Sequence, residues 1–404
     1  MRSPLGPIFL VVLVDVLGLT IVIPLLALYA ERFGASPLVA SLLVPTYAVC
    51  QLVAGPILGS LSDRHGRKRL LVISQLGTLA GFVLLANANA LWMVFAGRAL
   101  DGITAGNLTI AQAYIADRTA PEKRASAFAI IGIAFGLGFL VGPAIGGIAS
   151  REISPSAPFY IAAGLSALSI LASIFVLPKE EASTRRTFDA KLKIISWGQY
   201  ARFFAQAPMR GLLLQFFVFM LAFNFFFGGF ALFAERTYVW DGHPFGEREI
   251  GVTFALSGFI GAFVQGGMIK RLVPRFGEGK LIAFAFASFA VGFVLLGASP
   301  TLTMLGAAIV ASAIGHSLLR PNLTALVTRW ADPRDQGAVL GLTQSLAALG
   351  SIIAPPIAGW LITHDQLSVW TWVAGATAAL GLLLAPLGSA HGAPPSKAPN
   401  GVDL

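Results

Sequence analysis

With one cysteine and five histidines in 404 residues, the chain has almost nothing from which to build a disulfide framework or a metal centre. Cys50 stands alone within an apolar stretch and reads as a small packing residue. The histidines are scattered without ligand spacing, so neither a metal nor a cofactor is expected. Hydrolytic chemistry is equally short of parts, because it needs a nucleophile, a base and a group that orients the base. Ser317 adjoins His316, but neighbours on a helix point in different directions, and no second carboxylate follows. An enzyme is not expected. Charge is scarce too: 12% of residues are charged against 56% hydrophobic, far more apolar surface than one soluble core of this length hides.

What the chain does have is long uncharged runs. A membrane-spanning helix takes about 20 apolar residues, and twelve stretches qualify: 7–30, 37–60, 70–88, 91–117, 125–150, 156–177, 209–236, 247–270, 281–298, 301–328, 336–362 and 367–388. The first is too long for a signal peptide, lacks a small-residue cleavage site and contains Asp15 and Pro24, so it reads as a retained span.

Between the second and third stretches the charge concentrates, in Gly59-Ser-Leu-Ser-Asp63-Arg64-His65-Gly66-Arg67-Lys68-Arg69. Such a knot must sit in water or at the headgroups, and the chain turns there. With both termini placed in the cytoplasm, all but six of the 28 Lys and Arg fall in cytoplasmic segments. Arg32, Arg151, Arg236 and Arg248 lie on the other side, and Arg98 and Arg320 lie within spans. This predicts a multi-pass protein of the inner membrane. The net charge of +9 is spread over short loops without interleaved aromatics, so it reports topology and not nucleic-acid binding. In the charged loop, Arg64, Arg67 and Lys68 either grip headgroups or an acidic partner or simply enforce topology, and Asp63 caps or pairs at a span end. Asp117 in the next loop on that side is their natural partner.

Residues 178–208 form the longest polar stretch, with Trp197, Phe203 and Phe204 among charges as in a helix lying on the membrane surface. They divide the chain into a bundle of six helices over 1–177 and another over 209–388, followed by a disordered tail over 389–404 rich in Pro, Ala and Gly. A repeat crosses this linker. Asn107-Leu-Thr109 with Asp117 recurs as Asn322-Leu-Thr324 with Asp332, and Gly142-Pro143-Ala-Ile-Gly146-Gly147 as Ala354-Pro355-Pro356-Ile-Ala358-Gly359. The charged loop recurs weakly as Arg275-Phe-Gly277-Glu-Gly-Lys280. The expected fold is all-α and membrane-embedded, with twelve helices in two pseudo-symmetric bundles and a central site reached by rocking one half on the other.

An ionisable side chain within a span costs roughly 2.5–3.5 kcal/mol or more at the bilayer centre, so each one is a functional hypothesis. Asp15 is either a carboxylate that loads a proton from one side and releases it to the other, or one held permanently by an Arg. Arg98 and Asp101 are three apart, share a helix face and can pair, with or without a part in proton coupling. His316 and Arg320 share a face in the tenth span, and the repeat puts His316 opposite Asp101. His316 is a second coupling residue or a hydrogen-bonded packing residue. Arg320, ahead of Pro321, invites an anionic group of a substrate or a pair with Asp15 or Asp101. Asn224, Gln215, Gln265 and Asn322 complete the candidate substrate set. Phe216, Phe217, Phe219, Phe223, Phe225, Phe226 and Phe227 crowd around Asn224, most of them for packing or lipid and a few for a cavity. In the fifth span Gly132, Gly136, Gly138, Gly142, Gly146 and Gly147 make a small-residue stripe for close helix approach. Gly142, Pro143, Gly146 and the counterpart Pro355 are candidate bending points.

The run Leu13-Val-Asp15-Val-Leu-Gly18-Leu-Thr-Ile-Val-Ile-Pro24 resembles the opening of bacterial tetracycline-efflux proteins of the major facilitator superfamily. So do Gly97-Arg98-Ala-Leu-Asp101-Gly102, Ala113-Tyr114-Ile-Ala-Asp117, the Gly-x-x-x-Asp-Arg-x-Gly-Arg-Lys loop at 59–68, and Gln336-Gly337. The resemblance implies the twelve-helix facilitator fold and proton-driven efflux, with Asp15 and Arg98 in proton coupling and Gly59, Asp63, Arg64, Gly66, Arg67, Lys68 and Asp117 in a gating loop. It also implies a small-molecule substrate, protons and lipids as partners, and a monomer. The third, eighth and ninth spans lack the further acids and the His of those proteins. That departure, and the absence of a counterpart to His316 and Arg320, point away from a tetracycline–magnesium chelate towards another amphipathic or anionic compound. The expected function is a proton-coupled antiporter exporting amphipathic small molecules, with an organic-anion carrier using Arg320 and His316 as the alternative.

Overall fold

The computed structural model describes residues 5–119, 124–177, 197–298, 300–331 and 335–384. Most of the linker, the tail and Asp332 lie outside these residues. Among the described residues, ten helices are long and apolar enough to cross a membrane. They are Gly6–Glu31, Pro37–His65, Arg67–Ala86, Ile131–Glu152, Ala157–Phe175, Ala207–Thr237, Glu247–Phe276, Glu278–Ala298, Leu302–Trp330 and Ala338–Thr363. Leu367–Leu383 is a shorter apolar helix at the expected twelfth position.

The fourth span departs from expectation. Instead of one helix over 91–117, the chain forms Leu91–Ile103 and Asn107–Arg118 with three non-helical residues between. Backbone without helical partners at membrane depth needs other ones, and Ser74 of the third span supplies them. Its hydroxyl accepts from Gly106 N (3.0 Å) and donates to Thr104 O.

Local chemistry explains the turns. Gly66, at φ 98°, ends the second span by donating its N–H to Ser62 O, and Gly277, at φ 76°, does the same to Val273 O after the eighth. The weak recurrence of the charged loop is therefore a recurrence of backbone geometry, a left-handed residue that glycine takes without strain. Ser36 and Thr301 cap the second and tenth spans through their hydroxyls. A hairpin that the composition of the chain did not suggest, Val239–Trp240 against His243–Pro244, joins the seventh and eighth spans, turning at Asp241 and Gly242 with positive φ.

The helices pack as two copies of one arrangement. In the first half, span one lies against five, three against six and three against four; in the second, seven lies against eleven, nine against twelve and nine against ten. The halves meet where span five crosses eight and span two crosses eleven, again related pairs. The five–eight crossing is close enough to demand glycine. A Cβ on Gly258 would sit 2.2 Å from Phe139 O, the carbonyl that Pro143 leaves without a helical donor. Pro143 and Pro355 nonetheless lie inside unbroken helices, Arg124–Glu152 and Gln336–Thr363, in this state. The short helix Trp197–Ala205 buries Phe203 in the core of the second half, so this part of the linker is docked on the bundle.

Candidate functional site

The charged groups inside the first half sort into a closed pair and an open carboxylate. Arg98 Nη1 donates to Asp101 Oδ2 at 2.8 Å, and both side chains are buried. The guanidinium stacks 4.4 Å over the Tyr47 ring of the second span, and Thr78 of the third touches the Asp101 carboxyl. Arg98 is thus committed to one helix turn and one aromatic face. Asp15, in the first span, has no ion-pair partner among the described residues, so neither Arg98 nor Arg320 holds it. Its carboxyl is flanked by Ser169 and Gln75, and its Oδ1 is buried without a hydrogen-bond partner. Gln75 Nε2 in turn donates to Ser169 Oγ at 2.7 Å, and Ser169 Oγ to Val11 O at 3.3 Å, tying spans one, three and six around the acid.

In the second half, His316 stands at the midpoint of the helix Leu302–Trp330. Its Nε2 is 3.1 Å from Ser257 Oγ, and its ring lies edge-on to Phe223 (5.6 Å) and Phe289 (6.1 Å). Arg320, one turn on, is exposed and has no ion pair among the described residues. Its guanidinium lies 5.5 Å over Phe135 of the fifth span, so it opens into the space between the halves. Asn224 is tied to the eleventh span, accepting from Ser351 Oγ at 2.9 Å and donating to Met220 O at 2.8 Å. The other candidates are not gathered here. Gln215 is buried in the core, Asn322 is buried and spends its amide on Leu318 O, and Gln265 is exposed in a π-helical turn of the eighth span. Of the crowded phenylalanines, Phe216, Phe219, Phe225 and Phe226 are core, whereas Phe223 and Phe227 are half-buried and face the interface.

The charged loop is organised by Arg67. Its Nε binds Asp117 Oδ2 at 3.0 Å, its Nη2 pairs with Asp63, and its Nη1 donates to Ser62 Oγ at 2.6 Å. Gly59 lies beside Thr109 and offers its carbonyl to Arg67. Lys68 caps the end of the sixth span, donating to Ile174 O (2.8 Å) and Leu177 O (2.6 Å). These contacts stay within the first half. Arg329 with Glu278 is the matching pair in the second, at 2.7 Å.

Across the halves, the ion pairs between described residues all lie at the opposite end of the spans: Arg32–Glu247 (2.5 Å), Arg236–Glu31 (2.7 Å), Arg151–Glu249 (3.5 Å) and Arg248–Glu152 (3.9 Å). The sequence carries a signal for this. Ala27-Leu-Tyr-Ala-Glu31-Arg32 closes the first span and Ala231-Leu-Phe-Ala-Glu235-Arg236 the seventh, so the same dipeptide reaches over from each half. Gly142 and Gly146 serve span one: a Cβ on Gly142 would meet Thr20 Oγ1 at 2.2 Å.

The chain matches the model of the Major Facilitator Superfamily over residues 8–275 and 268–402. It is 30% identical to the tetracycline resistance protein, class E, of Escherichia coli over 370 residues, covering 90% of each. It is 31% identical to the class D protein of Salmonella ordonez, covering 95% of this chain and 96% of that one. The crystal structure of the human organic anion transporter MFSD10 superposes with a TM-score of 0.73 at 22% identity, over 95% of this chain and 99% of that one. Duplicated packing, the charged loop between the second and third spans and these matches over nearly the whole length agree: the chain belongs to the major facilitator superfamily and is a membrane transporter.

Proposed function

We propose that the chain is a proton-coupled antiporter that exports amphipathic small molecules across the inner membrane by alternating access, as a monomer with both termini in the cytoplasm. The observation that carries this reading is Asp15, a carboxylate within a span that has an unpartnered oxygen and no cation, ringed by neutral hydrogen-bonding groups from two other spans. A carboxylate locked in an ion pair cannot exchange its proton cheaply; one held by Ser169 and Gln75 can. Arg98, by contrast, secures Asp101 and keeps that second acid from competing. The relatives named for tetracycline resistance support outward transport of a small molecule.

With the charged loop on the cytoplasmic side, the four interhalf ion pairs close the outer end and Arg320 is reached from inside. Rocking the halves breaks these pairs, opens the outer end and exposes the same site there. The test is flux in proteoliposomes. A panel of fluorescent cationic, neutral and anionic amphiphiles is loaded with and without an imposed pH gradient, for the wild type and Asp15→Asn. Gradient-driven movement of a compound by the wild type that Asp15→Asn abolishes supports the reading. Equal concentrative movement by Asp15→Asn overturns it.

A further inference from the structure

Resting on the exporter reading, a narrower statement about the cargo follows from how the two halves approach each other beside the tenth span. Phe135 stacks on Phe139 at 6.4 Å, Phe139 meets Phe227 edge-on at 5.3 Å, Phe227 stacks on Phe223 at 5.3 Å and Phe223 meets His316 at 5.6 Å. His316 and Arg320 are one turn apart on the same helix, and Arg320 returns to Phe135 at 5.5 Å. The six groups form a closed circuit through spans five, seven and ten. All four phenylalanines are half-buried, unlike the core rings behind them, so part of each ring is left uncovered by protein.

The circuit has one permanent charge. Arg320 has no carboxylate partner among the described residues, and the Phe135 ring attracts it weakly, by about 0.5–1 kcal/mol where the cation is exposed. A guanidinium held deep among spans gains most from a planar anion that engages two of its N–H groups at once. His316, whose Nε2 is held 3.1 Å from Ser257 Oγ, closes the circuit with its ring edge-on to Phe223.

We infer that this circuit is the substrate seat and that it selects a flat aromatic monoanion: the carboxylate or sulfonate on Arg320, the ring between Phe135, Phe139, Phe223 and Phe227. Aromatic surface supplies burial and edge or offset-stacked contacts, and the guanidinium sets orientation and charge preference. A hydrophobic cation is disfavoured by the same guanidinium that holds the anion.

Equilibrium binding to the purified full-length protein in detergent, without a gradient, tests this apart from proton coupling. Four probes of matched size suffice: 2-naphthoate, its neutral amide, 2-naphthylmethylammonium and decanoate. The expected order has naphthoate tightest, the amide weaker by about 10- to 100-fold as one charge-assisted contact is lost, decanoate weaker by about 3- to 10-fold as ring contacts are lost, and the ammonium weakest. Arg320→Gln erases the difference between naphthoate and amide, whereas Phe135→Leu lowers naphthoate affinity and leaves the charge preference in place. Arg320→Lys, monodisperse on size exclusion, keeps a charge preference of reduced size and guards against a folding artefact. The inference is overturned if the amide or ammonium binds as tightly as naphthoate, if Arg320→Gln retains the anion preference, or if no probe binds the wild type. Naphthoate binding that survives while gradient-driven flux is absent would sink the exporter reading and leave the seat standing.

Discussion

The interhalf ion pairs give a quantitative handle on the balance between conformations. Glu31 and Glu247 present one carboxylate each to an arginine of the other half, with side chains 17% exposed against 29% for Arg236 and 45% for Arg32. Pairs this open to solvent are worth about 0.2–1 kcal/mol each, so Glu31→Gln with Glu247→Gln removes roughly 0.5–2 kcal/mol from the state seen here. At about 1.4 kcal/mol per tenfold, that raises the opposite state by roughly 2- to 30-fold. Leu28 reports the change. It belongs to the first half, is 5% exposed and packs into the core cluster of the second at this end. In a Cys50→Ser background, a thiol at Leu28→Cys reacts with a maleimide only when this end opens. The double glutamine variant should label faster by the same factor, while a thiol at the exposed Phe276→Cys in the other end should label at an unchanged rate. Raising ionic strength should accelerate the parent more than the variant, because two of the four pairs it screens are already gone and only Arg151–Glu249 and Arg248–Glu152 remain. Labelling at Leu28→Cys that stays constant or slows in the variant refutes the argument that these pairs hold the halves together.

Other consequences are read from packing and from the first half. Arg98→Gln strands the Asp101 carboxylate in the core and should cost about 3–5 kcal/mol, seen as a lowered melting temperature in detergent; the paired change Arg98→Met with Asp101→Leu should recover most of it and, with Asp15 intact, keep gradient-driven flux. Gly258→Val forces a Cβ against Phe139 O and should cost roughly 1–3 kcal/mol by overpacking, with loss of flux exceeding loss of folded protein if the halves rock about the crossing of spans five and eight. Ser74→Ala takes the hydroxyl from Gly106 N and Thr104 O, which keep only the bond between themselves (2.7 Å), and should destabilise by about 1 kcal/mol; faster amide exchange at residues 104–107 would locate the effect, and unchanged exchange would count against the staple.

Hydropathy and charge made the spans legible because both act through composition: a run of about 20 apolar residues has few other uses, and cations collect at one set of span ends. The pair Arg98–Asp101 was legible for a similar reason, since spacing of three on a helix leaves little geometric freedom. What remained hidden depends on which helix faces which. No local pattern says that Phe135 of the fifth span comes to lie under Arg320 of the tenth, or that Ser257 meets His316, because those meetings are fixed by glycine contacts elsewhere, at Gly258 and Gly142. Gln215 and Asn322 show the converse: polar residues in spans that look like ligands by type, yet are buried in the core or bonded to their own helix.

The break in the fourth span and the site in the tenth occupy corresponding places in the repeat. The register that matches Asn107 to Asn322 sets Arg320 against Ala105 and Pro321 against Gly106. At this level the first half interrupts its helix with tight local turns and adds contacts from Ser74, while the second keeps its helix but inserts Pro321, whose missing N–H leaves the carbonyl of Ser317 without its usual donor. Both halves thus weaken the same turn, and each hangs different chemistry on it. In the first, the loosened segment follows a buried pair, Arg98–Asp101, that fixes charge near the free carboxylate of Asp15. In the second, it carries a cation turned towards the interface. If the exporter reading holds, the carboxylate without an ion pair in one copy and the cation without one in the other give proton and cargo separate seats, linked by the rocking of the halves and not by competition for one group.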